Sequence, residues 1–453
     1  MASRQETAVF DFDLVIFGAS GFTGKYVIRE ALKFLSSPSC PVRTLALAGR
    51  NPSKISEALA WAASPSTPPP IPVLSADVSD PSSLLAMCRR TRLLINCVGP
   101  FRLYGEPVVA ACVETGTDYL DVCGEPEFME RMEVKFHESA KEAGALVVSA
   151  CGFDSVPAEM GFIFHSRQWE LQTKLNQVVA YVVLESERRI VGNLGTYESA
   201  VLGVANITNL QELRQSRPRR VRPQIAGPPI KHKSIEYQNS LGLWALKLPS
   251  ADAFVVRRTL SALTENPEGL EGVDEKDDYK EKRKQFWMMV KPAHFGVKIG
   301  SKSPFEILRF MLTGLFIGIL GVFAFGRKLL FKFPEIFSLG WFRKRGPTEE
   351  EVHSATFKMW FVGKAYSNAR VASEGDGKPD TEIITRVSGP EVGYVATPII
   401  LMQCAIIVLS QRHNLPKGGV YPPGIVFGPT NLQERLQANG ICFDFISKKS
   451  LGN

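Results

Sequence analysis

The chain has 453 residues, 45% hydrophobic and 22% charged, proportions that exclude a wholly disordered or collagen-like polymer and leave room for about two to four domains. Its 53 Lys and Arg against 46 Asp and Glu give a net charge of +7, too slight an excess for a nucleic-acid binder. The eight cysteines show no C-x-x-C pair and no Cys/His cluster of zinc spacing, which excludes a disulfide scaffold and a structural zinc site and predicts a reduced, intracellular protein.

About a dozen polar or mixed residues lead to the apolar run Asp13 to Phe17, the mark of a strand buried on both faces. So short a lead predicts no cleavable targeting peptide. Gly18-Ala19-Ser20-Gly21-Phe22-Thr23-Gly24 follows, then a helical pattern with Ile28, Ala31, Leu32 and Leu35 on one side. Strand, glycine-rich turn and helix form the setting of a dinucleotide fingerprint. Gly18 permits the tight turn, Gly21 lets the backbone approach a pyrophosphate, and Gly24 lets helix and strand pack closely. The phosphates then meet free N–H groups at the positive end of the helix dipole.

The second strand, Thr44 to Ala48, ends at Gly49-Arg50-Asn51. NAD-binding folds often place an acid here for the ribose 2′-hydroxyl. Arg50 stands instead, and a guanidinium suits a 2′-phosphate, so NADP is favoured over NAD. Further strands are expected at Ile71 to Ala76, ending at Asp77 beside the adenine, and at Leu93 to Val98, which brings Asn96, Val98 and Gly99 to the cofactor. Two more run from Asp118 to Val122 and from Leu146 to Ala150, with helices between. This alternation predicts a doubly wound parallel sheet that binds ligands at the carboxyl ends of its strands.

Glu125 and Asp154 stand past the fifth and sixth strands. Each is a candidate proton donor or acceptor, and each is equally placed to cap the helix that follows it. The chain contains no Tyr-x-x-x-Lys pair, no Gly-x-Ser-x-Gly elbow, no His-Glu-x-x-His and no Walker A lysine. Cys97, Cys123 and Cys151 fall near strand ends but lack an electropositive neighbour, and so read as small core side chains.

Beyond Gly161, strands are expected at Val178 to Glu185, Thr356 to Tyr366 and Thr381 to Val387, forming one mixed sheet. Residues 214–233 hold seven Lys or Arg and four prolines, which predicts a loop, either solvated or facing anionic headgroups. Residues 265–284 are dense in charge and predict an exposed loop and helix. Phe310 to Gly326 is 17 residues without a charge, about 26 Å if helical, at the lower limit for spanning a bilayer. Three readings stand: attachment to one leaflet or to a lipid-droplet monolayer, a true span, and a contact buried in the core or against a second copy of the chain. Gly393 to Ser410 is apolar on nearly all sides, which predicts a buried helix packed back on the first domain. The expected organisation is a dinucleotide-binding domain at 1–160, a mixed α/β domain at 161–392 with the apolar segment 305–345 inserted, and a helical segment at 393–453.

The stretches LVIFGASGFTGKYV, LALAGRN, LINCVGPFRLYGEPVV, DYLDVCGEPEF and SACGFDSVPAEMG, with ALKLPSADAFVVRRT and GPEVGYVATPIILMQ further on, resemble the saccharopine dehydrogenase-like oxidoreductases along nearly the whole chain. The resemblance implies a Rossmann domain, a second mixed domain and a nicotinamide cofactor. It also implies association with lipid droplets or mitochondrial membranes and a role in lipid or glycolipid metabolism. The leading expectation is therefore an NADP-dependent oxidoreductase acting on a hydrophobic or lipid-linked carbonyl or imine. The alternatives are a nucleotide-binding sensor without turnover, motivated by the missing Tyr/Lys pair, and a saccharopine dehydrogenase of lysine metabolism, against which the apolar insertion argues.

Overall fold

The fold is a computed structural model that describes residues 10–35, 40–229, 233–247, 250–368, 372 and 378–451. Most of the lead to the first strand lies outside them. Strands β1 (Phe12–Phe17), β2 (Leu45–Gly49), β3 (Val73–Ser75), β4 (Thr91–Asn96), β5 (Asp118–Asp121) and β6 (Leu146–Val148) alternate with helices. Then come β7 (Lys174–Ser186), β8 (Gly192–Asn193), β9 (Ile235–Gln238), β10 (Leu243–Lys247), β11 (His294–Ser301), β12 (Phe342–Arg343), β13 (Ala355–Tyr366) and β14 (Thr381–Pro390), and finally β15 (Gly419–Tyr421) and β16 (Cys442–Ser450).

The first sheet has the order β15-β6-β5-β4-β1-β2-β3 and is parallel throughout. Its strands are apolar on both sides because helices cover both faces. Along β1, Leu14 and Ile16 enter one core with the helix Phe22–Leu35, whereas Val15 and Phe17 enter the other with Val108 and Met129. The chain reverses direction across the sheet between β1 and β4, where Phe17 lies beside Asn96. Such a crevice is where doubly wound sheets receive ligands.

The second sheet has the order β16-β14-β13-β7-β11-β10-β9 and is mixed, only β7 and β11 being parallel. The helix Val156–Ser166 lies between the sheets with every residue but Phe164 buried. The helix Thr397–Gln411 is buried from Thr397 to Leu409 and shares the same core. Residues 393–453 are not helical alone: β15 completes the first sheet and β16 the second. The sequence signal for β15 is three residues long, between glycines and prolines, and only pairing with β6 makes it a strand.

The apolar segment departs from a single continuous helix. The helix Pro304–Leu320 ends at Gly321, and Ala324–Lys332 and Pro334–Phe337 follow. One side packs through Ile317, Leu320 and Leu330 on Tyr197 and Val201 of the helix Leu194–Ala205. The other side is open, with Phe305 80%, Phe323 63% and Phe325 73% exposed. The preceding strand β11 and the following strand β13 both pair with β7, so the chain enters and leaves this segment on the same side, which rules out a single bilayer crossing. Among the described residues, the one helical stretch long and apolar enough to cross a membrane is Val392–Asn414, which is core.

The basic stretch after Arg214 is also differently employed. Arg214 and Arg217 bind Glu130, while Arg220 and Arg258 bind Glu133. Burial opposes ionisation of Glu133, but the guanidiniums of Arg258, Arg220 and Arg217 bring its carboxyl down to about 2. These arginines tie the second half of the chain to the helix Pro126–Ala143 rather than facing a headgroup.

Candidate nucleotide and acid–base site

Gly18 has φ +81°, and a Cβ there would lie 2.8 Å from Val98 Cγ2. A Cβ on Gly24 would lie 2.2 Å from the Gly18 carbonyl oxygen. The turn therefore needs glycine twice, once for the left-handed backbone and once for the close approach of the helix. Ala19 is buried, and Ser20 and Gly21 are exposed at the mouth. The Lys25 amide is bonded to the Gly21 carbonyl, so the amides of Phe22, Thr23 and Gly24 form the open first turn, where an anion is favoured. Phe22 brings only backbone to this mouth, since its ring packs edge-on against Tyr394 at 4.8 Å. A cradle that excludes side chains and ends in free amides fits a diphosphate.

Arg50 is exposed at the end of β2. Asp77 accepts hydrogen bonds from the amide and hydroxyl of Ser79 (2.9 and 2.8 Å). Those bonds, and then the nearby charge of Arg50, lower its carboxyl below the usual range. Asn96 is fully buried; its Nδ2 donates to Tyr119 Oη (3.1 Å) and its Oδ1 accepts from the Val98 amide (2.9 Å). Asn96 therefore shapes the loop that carries Val98 and Gly99 past Gly18. Tyr119 donates in turn to Asp121 Oδ2 at 2.9 Å, and Asp121 Oδ1 accepts from the amides of Cys123 and Ala150. Burial raises Asp121 to about 6. This buried chain, which joins the loops after β4, β5 and β6, was invisible in the sequence because its members are far apart.

The two candidate acids separate. Glu125 is 5% exposed; it accepts from the Phe101 amide (2.9 Å), the Arg102 amide and Nε (both 3.2 Å) and Ser199 Oγ (2.9 Å). It holds the N-cap position of the helix Pro126–Ala143 that follows it, but its carboxyl serves the first amides of the neighbouring helix Phe101–Thr115, and no lone pair is left for chemistry. Asp154 caps nothing: the N-cap of the helix Val156–Ser166 is Ser155. The residue is exposed, and its Oδ2 lies 3.2 Å from where a Cβ on Gly124 would stand. Protein surrounds it closely enough that desolvation raises its carboxyl above the usual range.

Two acids missed in the sequence stand behind it. Asp252, at the start of the helix Ala251–Glu265, accepts from Ser250 Oγ at 2.8 Å, while its Oδ1 is buried without a hydrogen-bond partner among the described residues. Burial, and then the charge of Asp154, raise its carboxyl. Glu159 accepts from Thr259 Oγ1 and from the Gly424 amide (3.0 Å), and burial raises it to about 7. Both Asp252 and Thr259 lie in the ALKLPSADAFVVRRT stretch, whose pattern alone assigned them no role.

A carboxyl raised on folding binds its proton more tightly in the native state. Glu159 therefore favours folding at low pH, and that stability is lost between pH 4.5 and about 7, by at most about 3 kcal/mol at roughly 1.36 kcal/mol per pH unit. The melting temperature should fall across this window, and less so in Glu159→Gln; parallel curves for the two proteins would remove Glu159 from the account. Of the eight cysteines, Cys40, Cys88, Cys112, Cys123, Cys151 and Cys404 are buried and none is paired in a disulfide. Burial raises the thiols of Cys97, Cys123 and Cys151.

Residues 14–148 match the family model of the saccharopine dehydrogenase NADP binding domain. The chain is 61% identical to a probable mitochondrial saccharopine dehydrogenase-like oxidoreductase of Arabidopsis thaliana, over 96% of this chain and 97% of that one. It is 36% identical to the saccharopine dehydrogenase-like oxidoreductase of Rattus norvegicus (97% and 98%), and 30% identical to a lipid droplet localized protein of Caenorhabditis elegans (97% and 99%). Among solved structures, saccharopine dehydrogenase (L-Glu forming) from Saccharomyces cerevisiae has the same fold, at TM-score 0.51 and 11% identity over 97% of this chain and 100% of that one. The nucleotide cradle and whole-length identity together make this chain an NADP-binding member of the saccharopine dehydrogenase-like oxidoreductase family.

Proposed function

We propose that the protein reduces or oxidises a hydrophobic carbonyl or imine at a lipid surface, with Asp154 moving the proton. Bound NADP(H) supplies or takes the hydride. In the reducing direction, the hydride goes to the substrate carbon and the Asp154 proton to its oxygen or nitrogen, giving an alcohol or amine. The observation that carries this reading is an exposed aspartate just beyond the end of β6, whose carboxyl desolvation raises above the usual range. It supplies the acid that the missing Tyr/Lys pair does not, and so favours turnover over a sensor. We assign Arg50 to the 2′-phosphate and Gly18 to Gly24 to the pyrophosphate, with Asn96, Val98 and Gly99 behind the nicotinamide and Asp77 at the adenine edge.

The lipid part rests on the open apolar face of 304–337, where Phe305, Leu315, Ile319, Phe323 and Phe325 are exposed together, and on the name of the nematode relative. Its shape suits a helix lying in one leaflet or on a droplet monolayer. Replacing Ile319, Phe323 and Phe325 by Asp should leave the protein folded and abolish its flotation with vesicles; undiminished flotation would exclude this face.

Calorimetry with NADPH and NADH tests the nucleotide assignment. Wild type should prefer NADPH, and Arg50→Ala should lose that preference, by roughly tenfold to a hundredfold for charge-assisted bonds to phosphate. Equal affinities in wild type would refute the role given to Arg50. Oxidation of NADPH by a long-chain aldehyde dispersed in detergent tests turnover.

A further inference from the structure

Residues 302–345 hold eight Lys or Arg and two Glu, so one short segment carries +6 of the chain's net +7. At the root of its exposed helix, where the turn after β7 meets the end of β11, lies a cleft of about 660 Å³. One wall is aromatic: Phe310 stacks on Trp341 with ring centroids 4.3 Å apart and planes 17° apart. The Arg309 guanidinium lies 4.4 Å from the same indole and donates to the Leu339 carbonyl (2.9 and 2.6 Å). Arg188 and Arg189 also line the cleft.

The charges of this cleft are mostly matched. Glu185 pairs with Lys358, Glu306 with Arg309, and Arg188 with Glu350. Arg189 is exposed and makes no ion pair or side-chain hydrogen bond among the described residues. The cleft thus has one uncompensated guanidinium, two more within its lining, and an aromatic floor. Its volume is that of a small-molecule site, several times what a bare phosphate needs. Its outer rim is the helix that exposes Phe305, Leu308 and Leu312. An anionic head on an apolar tail matches both halves.

We infer that this cleft binds the phosphate head of a single anionic phospholipid while its acyl chains lie along the exposed face of Pro304–Leu320. The inference rests on the surface attachment proposed above and adds which lipid is chosen. Guanidinium suits the phosphate by its fork of donors, and the headgroup would take Arg189 as its counter-charge.

Three probes test it by calorimetry and flotation: short-chain dihexanoyl phosphatidic acid below its micelle concentration, inorganic phosphate, and phosphatidylcholine vesicles with or without phosphatidic acid. The variants are Arg189→Glu, in the cleft, and Lys328→Glu, exposed on the next helix outside it. The soluble lipid should bind wild type, and Arg189→Glu should weaken it by about tenfold or more, with little effect from Lys328→Glu. Equal losses in the two variants would mean diffuse attraction and overturn the site, as would no binding of the soluble lipid. Phosphate binding as tightly as the lipid would overturn the choice of a lipid. The two proposals separate: vesicle flotation without binding of soluble lipid leaves the attachment and removes the site, whereas Arg189-dependent binding without flotation does the reverse.

Discussion

Asp154→Asn should lower kcat by roughly 10²- to 10⁴-fold, the usual range for losing a general acid, and leave the Kd for NADPH unchanged. The substitution keeps size and polarity but removes the transferable proton. Among the described residues no backbone amide bonds the wild-type carboxyl, and the N-cap of the following helix is Ser155, so little stability should depend on it. Glu125→Gln should do the opposite. It disturbs an acceptor for the Phe101 amide, Arg102 and Ser199, so the melting temperature should fall while the folded fraction keeps its turnover. The rate of the reducing direction should decline as pH rises through the raised pKa of Asp154. Turnover of Asp154→Asn at the wild-type rate would withdraw the acid assignment and leave the nucleotide site intact.

Gly24→Ala is the second large effect. The added carbon would sit 2.2 Å from the Gly18 oxygen and 3.0 Å from Ala19 Cα. Both are backbone atoms, which cannot rotate aside as a side chain would. The helix Phe22–Leu35 must lift off the turn, costing about 1–3 kcal/mol or more of overpacking, and its amides leave the phosphates. NADPH affinity should drop by roughly a hundredfold or more. Gly203→Ala is the control: nothing lies within 4 Å of the added carbon in that helix, and alanine there should be neutral or stabilising by up to about 1 kcal/mol. Unchanged nucleotide binding in Gly24→Ala would contradict the cradle.

The first sheet was legible because a parallel strand buried on both faces is a continuous apolar run, and β1 to β6 each end in a glycine, a turn or a capped helix. The glycine turn was legible for the same reason: local geometry demands those residues. What escaped was set by partners distant in sequence. Glu125 precedes Pro126 as a cap should, yet its carboxyl serves Phe101 and Arg102. Asp154 precedes Pro157 in the same manner, but Ser155 occupies the N-cap and frees it. Asp252 and Glu159 come to the site only because the helices Val156–Ser166 and Ala251–Glu265 pack together. The lack of charge in the apolar segment left its form open, and in the structure Gly321 ends the helix Pro304–Leu320. Arginine density after 214 left a solvated loop and a headgroup-facing one both open, whereas Glu130 and Glu133 take up Arg214, Arg217 and Arg220.

The placement of β15 and β16 bears on how the protein is born. The edges of β6 and β14 stay bare until residues 419–450 have been made, and the bed for the helix Thr397–Gln411 stands open nearly as long. Bare sheet edges invite pairing with other chains. Neither half therefore has its full sheet without residues 419–450, and a variant lacking this stretch should be prone to aggregation.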